Sequence, residues 1–318
     1  MRVLITGHKG FVGQAFVNKL LKDVGTKYED IVGVDILGCD TYSALTVEKS
    51  VPLDCREFFK KAQASDYGLI IHLAAIVGGR ATIEGEPLSV ATDLSIDAEF
   101  FNWVVKTGTP ATKVVYFSSS AAYPINLQGY QSKVHLKESD IDMNNISNPD
   151  FTYGWAKLTG EYLAAFAKKA GVPIYVFRPF SGYGETQALD YPFPSFIKRV
   201  VDREDPFVVW GSGEQVRDFI HIDDICDSVM KVVDEDLPTP LNLGSGVPTT
   251  FNDLANLICK IDGWKPQSFQ HLTDKPSGVM YRCCDPTNFN KVYTPKVTLE
   301  QGIKRSLDYY RNSKLCKK

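Results

Sequence analysis

Tyr153 and Lys157, in the run Tyr153-Gly154-Trp155-Ala156-Lys157, are spaced so that a helix sets both side chains on one face. A phenol titrating near about 10 is a weak base at neutral pH, but an ammonium one turn away favours its phenolate. The two residues form a candidate proton-handling pair. Alone, such a pair is common on helices, so its meaning rests on what else the chain brings to it. Ser118-Ser119-Ser120 ends an apolar run, Val114-Val115-Tyr116-Phe117, at the carboxyl edge of a strand, where open α/β sheets bind ligands. A hydroxyl at that edge can orient a substrate oxygen.

A second constellation is Gly7-His8-Lys9-Gly10-Phe11-Val12-Gly13, lying directly between an apolar strand and a helical pattern. Glycines there let the backbone turn tightly and approach a pyrophosphate, whose charge a helix N-terminus favours. Asp35 closes the second apolar run. A carboxylate in that place accepts from adenosine ribose hydroxyls and repels a 2′-phosphate, which predicts NAD rather than NADP; the bland alternative is a solvated strand-end acid. Asp54-Cys55 follows the next segment, where a carboxylate meeting the adenine amino group and a simple helix cap are equally good readings.

The elements that must position these residues read as strand and helix in alternation. Arg2-Val3-Leu4-Ile5, Ile31-Val32-Gly33-Val34, Gly68 to Leu73 and Val114 to Phe117 are β-branched runs buried on both faces. Val12, Phe16, Leu20 and Leu21 recur at helical spacing between the first two, and Ala98, Phe101, Trp103 and Val105 lie in a helix-compatible stretch before the last. This predicts an α/β fold, a doubly wound parallel Rossmann sheet with right-handed crossovers. After Pro173-Ile174-Tyr175-Val176-Phe177, Pro and Gly become frequent and helices shorten. We therefore expect an NAD-binding domain at 1–183 and a smaller α/β substrate-binding region at 184–318, with some exchange of segments between them.

Composition narrows the partners. With 44% hydrophobic and 23% charged residues the 318-residue chain has ordinary globular make-up. A formal charge of -3, with no long basic run, disfavours nucleic acid. No apolar stretch approaches the roughly 20 residues of a membrane helix, and Met1 to Gly7 lacks the features of an export signal, so a cytoplasmic protein is expected. The seven cysteines, with no CxxC spacing, read as reduced structural thiols, and the five histidines show no metal-ligand spacing. No metal is expected. Leu315 to Lys318 reads as a frayed basic tail.

Together these motifs resemble the extended short-chain dehydrogenase/reductase family, the NAD-dependent sugar-nucleotide epimerases and dehydratases. The resemblance covers nearly the whole chain. It is carried by Thr6 to Gly13, His72-Leu73-Ala74-Ala75, the serine run, Tyr153 to Lys157, Arg178-Pro179, Arg217 to Asp224 and Leu299-Glu300-Gln301-Gly302. What it implies is a catalytic trio of Ser119, Tyr153 and Lys157, with Ser120 competing for the serine role. It implies a cofactor site of Gly7, Gly10, Phe11, Val12, Gly13, Asp35, Asp54, Cys55, Leu73, Ala74, Ala75, Ser118, Tyr153, Lys157 and Phe180. On the substrate side it implies Gly79, Ser120, Ser181, Trp210, Arg217 and Arg282. Arg217 and Arg282 resemble residues that hold a diphosphate, and Trp210 one that stacks on a nucleobase, although a core tryptophan is as good a reading. Ser181 stands where many relatives carry Asn. The family also implies a homodimer through the helices near Asp93 to Lys106 and Tyr153 to Lys169.

Relatives that dehydrate or decarboxylate place Asp or Glu just after the catalytic hydroxyl, and 3,5-epimerases and fucose synthases place Cys there, with His or Lys further on. This chain has Ser120-Ala121-Ala122, and neither His nor Lys in Thr186 to Asp190. The expected reaction is therefore a 4-epimerisation through a transient 4-keto sugar of a GDP- or UDP-sugar. A dehydratase or keto-sugar reductase is the alternative, and a non-catalytic NAD-binding regulator the second.

Overall fold

The structure, a computed structural model, describes residues 1–44, 46–129, 131 and 133–313. The basic tail and Cys316 lie outside the described residues. The strands are β1 (Val3–Thr6), β2 (Ile31–Val34), β3 (Cys39–Tyr42), β4 (Val47–Ser50), β5 (Leu69–His72), β6 (Lys113–Phe117), β7 (His135–Leu136) and β8 (Ile174–Pro179). They continue with β9 (Ser181–Tyr183), β10 (Phe207–Trp210), β11 (Val216–His221), β12 (Leu241–Leu243), β13 (Pro248–Thr250), β14 (Phe269–Leu272) and β15 (Tyr281–Cys284). The helices are α1 (Phe11–Leu20), α2 (Cys55–Phe59), α3 (Arg80–Gly85), α4 (Pro87–Val90), α5 (Thr92–Thr107) and α6 (Phe151–Lys169). After them come α7 (Pro192–Val201), α8 (Ile222–Asp234), α9 (Phe251–Asp262), α10 (Thr287–Val292) and α11 (Leu299–Asn312).

Eight strands form one sheet in the order β12-β8-β6-β5-β1-β2-β3-β4. From β12 to β2 all pairings are parallel, and the order reverses direction beside β1, which is the doubly wound pattern. Continuous apolar runs suit such strands because both faces are covered. Val3, Ile5, Ile71, Val115 and Phe117 point into one core with Phe16 and Val229, whereas Leu4, Ile70, Val114 and Tyr116 point into another with Phe100, Trp103 and Ala164. The β3–β4 hairpin, antiparallel to β2, departs from the all-parallel expectation.

A third core, with Phe193, Phe196, Val209, Leu254, Ile258 and Leu307, underlies the smaller region. Its main sheet runs β13-β11-β15-β7, with β9 also paired to β11. Two segments cross over. Leu241–Leu243 returns to pair with β8 in the large sheet, while His135–Leu136 leaves the first half to pair with β15. No helix among the described residues is long and apolar enough to cross a membrane. Cys39, Cys55, Cys226, Cys259, Cys283 and Cys284 are free and buried.

Candidate active site

The Gly7 to Gly13 turn joins β1 to α1 as its sequence requires. Gly7 has φ +71°, and a Cβ on it would stand 2.8 Å from the backbone of Leu73 and Ala74. A Cβ on Gly13 would stand 2.3 Å from the Gly7 carbonyl oxygen. Only glycine fits both places. Gly10 caps α1 without a side-chain bond, the first turn carries no acid, and among the described residues the N–H groups of Phe11, Val12 and Gly13 have no protein acceptor. Unpaired donors at the positive end of a ten-residue helix suit a pyrophosphate. Next to them, Asp35 Oδ2 accepts from Lys9 N–H at 3.0 Å and Oδ1 from Leu37 N–H at 2.9 Å, so its carboxylate is fixed at the end of β2.

Some assigned cofactor residues have other work. Thr6 Oγ1 accepts from both Leu73 and Ala74 N–H groups at 3.2 Å, tying β5's exit to β1; Ala75 continues the same loop. Asp54 caps α2 through Arg56 N–H at 2.8 Å and pairs with the Arg56 guanidinium at 2.6 Å, which is the helix-cap reading of the two left open. Burial pushes the neighbouring Cys55 thiol up to about 12. Ser118 is buried and donates to Glu161 Oε1 at 2.5 Å, while Glu161 pairs with buried Arg178 at 2.7 Å. That network ties α6 to β6 and β8.

A cleft of about 530 Å³ opens at the carboxyl edge of the large sheet. It gathers Gly79, Ser119, Ser120, Tyr153, Phe180, Ser181, Trp210, Arg217 and Arg282, residues spread over some two hundred positions. Ser119 caps a short turn, accepting from Ala121 N–H at 3.1 Å, and its hydroxyl lies close enough to the Tyr153 phenol to favour the ionised form. Tyr153 and Lys157 lie one turn apart on α6, and the Lys157 ammonium stands 5.9 Å from the Tyr153 ring centroid and 5.5 Å from that of Tyr116. Burial pushes the Tyr153 phenol above the ordinary range, and Asp93 and Asp97 add to this, whereas Lys157 and Ser119 oppose it. Lys157 is buried yet stays charged, because Asp97, Tyr153 and Asp93 outweigh the cost of burial.

Sequence reasoning missed those acids. Asp97 accepts from Tyr116 OH at 2.5 Å and contacts His72 Nε2 at 3.3 Å. Asp93 accepts from Ile76 N–H at 2.6 Å, its other oxygen is buried without a partner, and burial pushes its carboxyl up to about 6. Gly160 seats the helix over them: a Cβ there would stand 1.8 Å from Tyr116 OH and 2.7 Å from Asp97 Oδ2. An i, i+4 acid pair on the helix before the serine strand was the available signal.

Arg80 and Asp150 were missed as well, although each adjoins a recognised motif. Asp150, just before α6, pairs with Arg80 at 2.9 Å and with Arg282 at 2.7 Å. Arg217 donates to the carbonyls of Val216 and Val279 at 2.8 Å, and Arg282 to Gln128 Oε1 at 2.5 Å. Burial first, then the charges of Arg282 and Arg80, push Arg217 down to about 9. Three guanidiniums thus meet Asp150 and, on Arg80 alone, Glu84, which leaves one positive charge over in the cleft wall and suits an anion. Trp210 lines the same wall and is 39% exposed, so it is not a core residue.

The chain belongs to the NAD dependent epimerase/dehydratase family, whose sequence model matches residues 3–244. NAD is the cofactor, and the enzyme is of the nucleotide-sugar epimerase/dehydratase kind. Among curated relatives it is 25% identical to a putative GDP-L-fucose synthase of Arabidopsis thaliana, over 100% of this chain and 94% of that one. It is 26% identical to an uncharacterised UDP-glucose epimerase of Bacillus subtilis, over 97% and 98%. Among solved structures it superposes on a UDP-glucose 4-epimerase of Thermotoga maritima with UDP-glucose, at TM-score 0.77, 25% identity and 98% and 99% coverage. The dTDP-glucose 4,6-dehydratase of Streptomyces venezuelae gives TM-score 0.81 at 21% identity, over 98% and 97%, and so shares the fold.

Proposed function

We propose that the protein is a nucleotide-sugar 4-epimerase, in which Ser119, Tyr153 and Lys157 carry the chemistry. The observation that supports this reading most is what the cleft wall lacks. Among the residues lining it there is no Cys, His, Lys or Glu. Of its two carboxylates, Asp150 is paired with Arg80 and Arg282, and Asp190 is turned to the Gly79 N–H at 2.8 Å. Tyr191 is pushed well above the ordinary range by burial, then by Tyr153 and Asp190. A dehydration or a 3,5-epimerisation needs a further group that exchanges protons with carbon or oxygen. Oxidation and re-reduction at one carbon does not.

NAD, held at the glycine turn, the α1 N-terminus and Asp35, supplies the hydride acceptor. Tyr153 accepts the proton of the sugar hydroxyl and later returns it, so the chain needs no net proton exchange with water. Ser119 holds the same sugar oxygen through its hydroxyl. Lys157 keeps a positive charge behind the phenol and so favours its ionised form when a ligand is seated. Arg217 and Arg282, with Arg80 beside them, hold the diphosphate, and Trp210 stacks on the base.

The test is a panel of UDP-, GDP-, CDP- and dTDP-sugars incubated with protein and NAD and analysed by mass spectrometry and NMR. A 4-epimer retaining a C4 deuterium, with no solvent deuterium at C3 or C5, is the expected result. Stoichiometric NADH, or a product lighter by one water, would sink it. A second copy of the chain is the expected partner. Leu94 and Val105 on α5 and Trp155, Tyr162 and Phe166 on α6 are exposed apolar residues on the two helices concerned. Sedimentation of Trp155→Glu as a monomer beside a dimeric parent is the outcome this predicts.

A further inference from the structure

Preference for NAD rests on Asp35 in the reading above, but Lys9, from the same glycine turn, works against it. Its N–H bonds Asp35, and its side chain crosses the turn between β2 and β3, with Cε 3.4 Å from where a Cβ on Gly38 would stand. The turn that follows Asp35 is Ile36-Leu37-Gly38-Cys39 and contributes no cation of its own. A 2′-phosphate approaching Asp35 would therefore meet Lys9 as its counter-charge, and an available ammonium there would favour the wrong dinucleotide.

The ammonium is already paired. It is bound by Asp40, which is only 5% exposed on β3. The same oxygen, Asp40 Oδ2, also accepts from Tyr42 OH at 3.0 Å and contacts His8 Nε2 at 3.3 Å. Burial opposes ionisation of Asp40, yet Lys9, His8 and Tyr42 together hold its carboxyl below the usual range. His8 is itself fixed, because a Cβ on Gly33 of β2 would stand 2.4 Å from its ring. The hairpin thus presents a buried anion held by the one lysine of the glycine turn together with His8 and Tyr42.

We propose that Asp40 is a specificity-determining residue: by capturing Lys9 it withholds the cation that a 2′-phosphate would use, and so enforces NAD over NADP. The inference rests on Asp35 and the glycine turn being the adenosine end of the cofactor site. Asp40→Asn keeps the shape and the Tyr42 contact while releasing Lys9.

The experiment is calorimetric titration of NAD and of NADP into the purified full chain and into Asp40→Asn, Lys9→Met and the double variant, at low and at moderate salt. Asp40→Asn should bind NADP about tenfold more tightly than the parent at low salt, with NAD changed much less and the gain shrinking as salt rises. The gain should vanish in the double variant. Lys9→Met alone should leave NADP binding near that of the parent, because the parent lysine is already occupied; this arm holds even where Asp40→Asn folds poorly. Equal losses for both dinucleotides in Asp40→Asn, a gain that survives removal of Lys9, or a large NADP loss in Lys9→Met would overturn the proposal. A parent chain that bound neither dinucleotide would overturn the cofactor-site reading beneath it.

Discussion

The two ends of the cleft are charged in opposite senses. Behind Tyr153, two buried acids, Asp93 and Asp97, act on a single ammonium, Lys157. At the far wall, three guanidiniums, Arg80, Arg217 and Arg282, stand around Asp150, and Glu84 pairs with Arg80 from its other side. The first end carries an excess of acid over its one ammonium, buried where those charges bear on the phenol's proton. The second carries an excess of positive charge that a ligand anion can balance. The acidic end suits proton handling and the basic end suits binding.

Removing the phenol should separate the ends most. Tyr153→Phe is expected to lower kcat by about 10² to 10⁴, the range for losing a general acid–base group, with UDP or GDP binding unchanged in calorimetry. Loss of nucleotide binding in that variant would erase the distinction drawn above. At the other end, Arg217→Ala should raise KM and weaken nucleotide diphosphate binding by roughly 10- to 100-fold while altering kcat much less. Ser119→Ala should cost kcat about tenfold, the value of one hydrogen bond to the reacting oxygen.

Asp93 offers the most diagnostic effect. Its carboxyl, raised from 3.8 to about 6, binds a proton more readily in the folded chain than in the unfolded one. Stability therefore falls as pH rises through roughly 4 to 6 and stays reduced above that window. Asp93→Asn should add on the order of 1–3 kcal/mol at pH 7 to 8 and nothing near pH 4, read as the difference in Tm between variant and parent across pH. A difference that is constant with pH would show that the acid is not strained by its burial. A stabilised variant that loses turnover would show that the strain serves Lys157.

How much of this was readable beforehand depended on the kind of signal. Ile31–Val34 and the apolar runs of β1, β5, β6 and β8 were legible because a strand covered on both faces must be continuously apolar. The Tyr153–Lys157 pair was legible because helical spacing alone sets it. The β3–β4 hairpin was not: Val47-Glu48-Lys49-Ser50 is exposed throughout and shows no period-two pattern. With it went Asp40, whose role depends on a pairing register. Arg80 and Asp150 escaped because they meet across 70 residues, and a contact of that separation leaves no local trace. Asp54 and Ser118 carried the expected residue types, and their bonds to Arg56 and Glu161 were not readable in advance.

The exchange of β12 and β7 between the two sheets has a mechanical consequence. Each sheet holds a strand from the part of the chain that builds the other, so more than one chain crossing joins the two walls of the cleft. Movement of loops is then the simpler route for substrate entry and product exit. The contact of Asp190 with Gly79, where the 186–191 segment meets the loop before α3, is the seam along which such a gate would part.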